Sequence, residues 1–271
     1  MLDLNKTKAR EGHKMSDKRV NYGNWVPKKM LWILLGVALI LVAGSFLPVP
    51  FFVQVILWVI SGLTFLLFLY MFYLYSQFAK NGGNLQSGLW NCVLDKLSWD
   101  GRGKALDIGT GNGPLAIKVA KKYPQAKVMG IDYWGKNWNY SQKICQNNAK
   151  IEGVEDRVAF QKASAASLPF EDEEFDAAVS NFVFHEVRDV RNKREVIREA
   201  LRVVRKDGTF SFQDLFLNEK IYGEINELLE TIREWGIDEV HSTSTADLVG
   251  TSRLLRSRAT LGEIGIIYGK K

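Results

Sequence analysis

The chain has 271 residues, 46% of them hydrophobic, and a formal net charge of +6. That length leaves room for one ordinary domain and an appendage. Its two cysteines, Cys92 and Cys145, exclude a disulfide framework and a metal-site spacing, so both are expected as free thiols and no metal is expected.

Residues 1–29 form a basic tail in which Lys6, Lys8, Arg10, Lys14, Lys18, Arg19, Lys28 and Lys29 outnumber Asp3, Glu11 and Asp17. The tail has no hydrophobic period and is expected to be disordered to about Tyr22. Residues 30–47 and 51–75 then carry no charge and are separated by Pro48-Val49-Pro50. A helix rises about 1.5 Å per residue, so roughly twenty apolar residues cross a bilayer core. The pair therefore reads as a transmembrane helical hairpin over residues 30–75, with Trp25, Trp32, Tyr70, Tyr73 and Tyr75 near the segment ends. The first stretch is too long for a signal-peptide core, and a second follows at once. The basic cluster before Met30 places the N-terminus in the cytoplasm, and two spans return the chain there. A re-entrant hairpin would put both ends on the same side.

Residues 76–100 link the hairpin to a domain. Asn81-Gly82-Gly83-Asn84 breaks the helix, and Leu89, Trp90, Val93, Leu94 and Leu97 recur at helical spacing. Next, Ala105, Leu106 and Ile108 read as a buried strand that runs into Gly109, Gly111 and Gly113. A helix with Leu115, Ile117, Val119 and Ala120 on its apolar side follows, and Pro114 suits its first turn. Strand, glycine turn and helix make a nucleotide-binding unit of a doubly wound fold. A dinucleotide loop would need glycine at 114, so Pro114 disfavours a nicotinamide dehydrogenase.

The pattern Asp107-x-Gly109-x-Gly111-x-Gly113 instead resembles motif I of the class I S-adenosylmethionine-dependent methyltransferases. Their cofactor is a sulfonium cation with an amino-acid tail, which suits a carboxylate at the strand end. Residues 127–131 read as strand two, ending in Asp132, nineteen residues after Gly113. An acid there accepts hydrogen bonds from ribose hydroxyls. The resemblance implies that Asp107 and Asp132 orient the cofactor and that Tyr133 lies beside its adenine. A helix over 138–151 and a strand over 158–161 follow. Ser164 and Ala165 stand where the family commonly has Asp-Ala against the adenine; this departure leaves a serine oxygen or a backbone carbonyl to serve. Residues 175–180 read as strand four, and the loop Asn181–Val187, NFVFHEV, lies at its carboxyl end. Ligands of open α/β sheets bind there, so Asn181 joins the cofactor-binding set. His185 and Glu186 are the candidate general base and its orienter, weighed against a His185 that only packs beside the cofactor. The loop lacks the N-P-P-[YF] signature of nucleic-acid methyltransferases, and no nucleic-acid partner is expected.

A basic helix over 191–204, a turn at Arg205–Gly208, a strand over 209–213, Asp214, a helix over 219–235 and a last strand within 261–268 complete the pattern. The resemblance implies an α/β, doubly wound, mostly parallel seven-stranded sheet over residues 101–271, preceded by the transmembrane hairpin. The expected partner is the lipid bilayer and the expected acceptor a lipid or other membrane-borne molecule. Arg188, Arg191, Lys193, Arg194, Arg253, Arg256 and Arg258 are candidates for meeting head groups. The competing readings are methylation of a soluble small molecule and a non-catalytic tethered scaffold.

Overall fold

Parallel strands buried on both faces read as unbroken apolar runs, and those runs form the centre of the sheet. The computed structural model describes residues 19–135, 140–249, 255–257 and 260–271. One unit comprises Cys92–Lys271 together with the segment up to Gly23; the other is Asn24–Asn91.

In the larger unit the strands are β1 (Gly103–Ile108), β2 (Ala126–Asp132), β3 (Val158–Lys162), β4 (Phe175–Asn181), β5 (Val204–Asp214), β6 (Glu239–Ser244) and β7 (Gly265–Lys270). They form one sheet in the order β3-β2-β1-β4-β5-β7-β6. Strands β1 to β5 are mutually parallel, and β7 runs antiparallel to both β5 and β6. The order reverses between β1 and β4, the switch point at which such sheets bind ligands.

Four helices precede and follow the first strands: α1 (Lys28–Gly44), α2 (Phe51–Phe78), α3 (Leu85–Lys96) and α4 (Pro114–Lys122). Helix α4 buries Leu115, Ile117, Val119 and Ala120 and packs on β1 and β2. Then come α5 (Gln142–Ile151), α6 (Lys193–Arg202), α7 (Glu219–Tyr222), α8 (Ile225–Glu234) and α9 (Thr245–Leu248). On β5, Phe210 and Phe212 enter a core with Phe175, Phe184, Phe216, Val196, Ile197 and Ile232. Each such side chain contributes about 1.5–3 kcal/mol by leaving water.

Several elements differ from expectation. The Arg205–Gly208 turn is a bulge inside β5: the register passes from Phe175 opposite Val204 to Ala177 opposite Thr209. Asp207 takes the left-handed backbone (φ 64) that the bulge needs. The helix expected over 219–235 is split at Gly223 (φ 76), where a Cβ would lie 2.3 Å from an Arg194 nitrogen. Strand β6 has no counterpart among the expected elements. Arg19–Gly23 is ordered rather than disordered: Asn21 N donates to Asn148 Oδ1 (2.8 Å) and Tyr22 Oη to Glu152 Oε1 (3.1 Å). Both cysteines are free and buried, as expected.

In the smaller unit α1 and α2 pack together. Ser61 Oγ donates to Ala38 O (2.8 Å) and Trp58 Nε1 to Ser45 Oγ (2.6 Å). Helix α1 ends at Gly44, short of the expected Leu47. Among the described residues, α2 is the one helix long and apolar enough to cross a membrane by length and composition. Its buried residues are Ser61 and Leu74, while Phe51, Phe52, Trp58 and Leu66 are exposed.

Candidate active site

The three motif glycines have positive φ (73, 57 and 84), a region that L side chains rarely adopt. At Gly109 a Cβ would fall 2.0 Å from Val183 Cγ2, so the loop after β4 can press against the glycine turn only because Gly109 has no side chain. Gly113 caps α4, and Pro114 opens it.

Asp107, at the end of β1, is buried. Its Oδ2 accepts from Thr110 Oγ1 (2.6 Å) and Ala116 N (2.9 Å), so it shapes the loop from beneath. Burial pushes its carboxyl up to about 7, against those two bonds and helped by the charge of Asp132. Asp132 stands at the end of β2, where Oδ2 accepts from Gly111 N (2.9 Å) and Oδ1 from Trp134 N (2.7 Å). Burial raises it as well, and among the described residues no Lys or Arg offsets the charge of either group. Both Asp132 oxygens keep acceptor capacity beyond these backbone donors.

Trp134 (φ 45) closes this corner by donating from Nε1 to Gly111 O (2.9 Å). The motif pattern assigns it no role. Nor does the pattern point to Tyr140, whose ring would be 3.5 Å from a Cβ on Gly111 and 3.3 Å from one on Gly23. Burial, then the charge of Asp132, pushes the Tyr140 phenol up to about 12. Gly23 thus brings the N-terminal segment to the glycine loop, and Asn148 Nδ2 joins the two by donating to Asn21 O and Asn112 O. Tyr133 is exposed, with Lys162 Nζ 5.2 Å from its ring centre. Ser164 Oγ is taken up locally by Ala166 N (3.2 Å), and Ala165 is buried in the core. Asn181 ends β4 with a buried Oδ1 that has no hydrogen-bond partner among the described residues.

His185 lies on the turn Phe184–Glu186 after β4. Its orienter is Asp214 at the end of β5: Nδ1 to Oδ1 is 2.6 Å. Glu186, the expected orienter, lies on the other side, with Oε1 3.7 Å from Nε2. Of the basic residues assigned to head groups, Lys193 donates to Val187 O and Val190 O, and Arg194 to Tyr222 O (2.8 Å) and Glu227 (3.1 Å). Arg256 faces Asp247 at 3.8 Å. Arg253 and Arg258 lie outside the described residues.

Two raised carboxylates with no cationic partner among the described residues, an amide oxygen unpaired among them, and a glycine cradle fit a cationic ligand with hydroxyls and an amine. A methyltransferase-domain family model matches residues 100–251, more than half of the chain. The chain belongs to this family, the class I S-adenosylmethionine-dependent methyltransferases, whose cofactor the site fits. The chain is 35% identical over 107 residues to a demethylmenaquinone methyltransferase of Roseiflexus castenholzii, covering 40% of each chain. It is 32% identical over 116 residues to a ubiquinone/menaquinone biosynthesis C-methyltransferase of Syntrophotalea carbinolica, covering 43% of this chain and 45% of that one. The match thus spans less than half the length of these relatives. A geranyl diphosphate C-methyltransferase structure from Streptomyces coelicolor shares the fold, with a TM-score of 0.50 at 13% identity over 69% of this chain and 80% of that one.

Proposed function

We propose that this chain is a membrane-anchored enzyme that methylates a lipid-soluble acceptor, of which a quinone ring is the leading class. The observation that carries the reading is α2: a 28-residue apolar helix, exposed along most of its length, encoded directly before a methyltransferase domain. Its two mid-helix hydroxyls are satisfied within the helix pair, Thr64 by Ile60 O (2.8 Å) and Ser61 by Ala38 O, as an apolar surrounding demands. At 17 residues α1 is about 26 Å long; uncharged Ser45–Leu47 extends its apolar stretch to the proline turn. The basic cluster ending in Lys28-Lys29 before the first apolar stretch supports a hairpin with both ends on the cytoplasmic face. Tethering raises the effective concentration of membrane-borne acceptors. The quinone class comes from the names of the two quinone methyltransferases to which the chain is similar.

S-adenosylmethionine supplies a methyl group already activated on sulfur, so the chain's task is mainly alignment and exclusion of water. In this reading Asp132 holds ribose hydroxyls, Asp107 sets the loop and balances positive charge, and Asn181 Oδ1 accepts from the amino-acid tail. Tyr133, or the ring of Tyr140, covers the adenine side.

The test is to incubate the reconstituted full chain with methyl-labelled cofactor and host extract, then separate lipid, protein and aqueous small-molecule fractions. Label is expected in the lipid fraction and is expected to vanish with Asp132→Ala. Label only in the aqueous fraction would refute the lipid acceptor and keep the methyltransferase. Absence of label together with no binding of S-adenosylmethionine or its demethylated product would leave a scaffold.

A further inference from the structure

We propose that His185 Nε2, with the ring held by Asp214, is the base that takes a proton from the methyl acceptor, and hence that the acceptor is a phenolic or enolic hydroxyl compound rather than a tertiary amine or thioether. The proposal rests on the methyltransferase reading and deepens it.

Asp214 anchors the pair. It is fully buried at the carboxyl end of β5. Its Oδ2 accepts from Val183 N (3.1 Å) and Phe184 N (2.8 Å), and its Oδ1 from Leu215 N (2.6 Å). Both its oxygens accept from backbone N–H groups, so in the 2.6 Å contact with Oδ1 His185 Nδ1 is the donor. A neutral imidazole that carries its proton on Nδ1 leaves the lone pair on Nε2. The side chain is 21% exposed, and Nε2 lies 3.7 Å from Glu186 Oε1, beyond a hydrogen bond.

The position is also built. Phe182 is held at φ 58, with its N donating to Gln213 O (2.8 Å). Left-handed backbone at a bulky residue is costly and gathers at functional sites. One residue on, Val183 packs over Gly109, so the turn bearing His185 abuts the cofactor loop at the switch point of the sheet.

The step balances. The acceptor oxygen or its conjugated carbon forms a bond to the methyl carbon, the carbon–sulfur bond breaks with its electron pair going to sulfur, and the hydroxyl proton moves to Nε2. Besides Asp214 from β5, three groups bear on the pair: Glu186 on the same turn, Lys193 from α6 and Tyr222 from α7. Burial opposes the imidazolium, but the Asp214 bond and charge, with Glu186, outweigh burial and Lys193, so the ring titrates above its ordinary value. Only the neutral ring is a base. Turnover should therefore rise with pH through that raised ionisation, and Asp214→Asn should move the rise to lower pH.

The experiment uses the full chain in detergent with S-adenosylhomocysteine and nitrogen-15 histidine NMR. It is paired with turnover of methyl-labelled cofactor on a host lipid extract and on reduced demethylmenaquinone. The expected spectrum has neutral His185 protonated on Nδ1, with a midpoint above the ordinary value that falls in Asp214→Asn. His185→Asn retains a donor toward Asp214, so it should fold and bind S-adenosylhomocysteine normally while turnover falls by about 10²–10⁴-fold. A neutral ring protonated on Nε2, or His185→Asn turnover within threefold of wild type, overturns the proposal. Failure of wild type to bind cofactor sinks the methyltransferase reading instead.

Discussion

Phe212 and Phe46 are the same side chain in opposite situations. Phe212 is fully buried beneath the sheet of the α/β unit, whereas Phe46 is 78% exposed between the two apolar helices. The contrast holds across both regions. The α/β unit is organised by taking apolar groups out of water, so its large aromatics are inside. In the helix pair Ser45, Trp58, Ser61 and Thr64 bond within the pair, and most large apolar groups point outward. A methyltransferase fold and an outwardly apolar helix pair thus follow opposite rules within one chain.

The largest effect that would sharpen this comparison comes from truncating the two rings. Phe212→Ala should cost about 3–5 kcal/mol, the usual loss for a buried ring, whereas Phe46→Ala should leave the unfolding of the α/β unit unchanged. Denaturation of the full chain in detergent, followed by near-UV circular dichroism, measures both. Equal losses would erase the distinction between the regions.

A second effect acts on the other region. Leu66→Arg puts a charge near the middle of α2, where membrane insertion penalises arginine by about 2.5–3.5 kcal/mol. Carbonate extraction should release the variant, while cofactor binding by the α/β unit persists. Retention in the pellet would argue against α2 as a span.

The smallest effect concerns pH. Asp107 is raised from an unfolded value near 4 to about 7. Between these values the folded state binds the extra proton, so its contribution to stability is complete below about pH 4 and disappears as pH rises through 7. Melts of the cofactor-free chain should lose stability over that window, and Asp107→Asn should flatten the slope. Cofactor should restore stability most at the high-pH end, where a cation meets the ionised carboxylate. A slope unchanged in Asp107→Asn would assign the effect elsewhere. The helix pair, with no ionisable group between Met30 and Phe78 except tyrosines, should show none of it.

Features carried by neighbours in the chain are legible in the amino-acid sequence alone. The run ALDI followed by alternating glycines dictates a buried strand and a tight turn, because burial on both faces and positive φ each restrict residue type locally. Asp132 is legible from its place at a strand end, and the two uncharged stretches from length alone. Strand β6 is not: EVHSTS is polar and lies at the sheet edge, paired only with β7, so no apolar run announces it. Tertiary structure alone decided that His185 pairs with Asp214, 29 positions away, rather than with its neighbour Glu186. It also decided that Tyr140 and Gly23 meet the glycine loop. Local sequence encodes which face is buried and where the backbone turns. Which strand ends stand side by side depends on parallel register and on the order β1-β4-β5, and these are settled only when the whole sheet closes around its core.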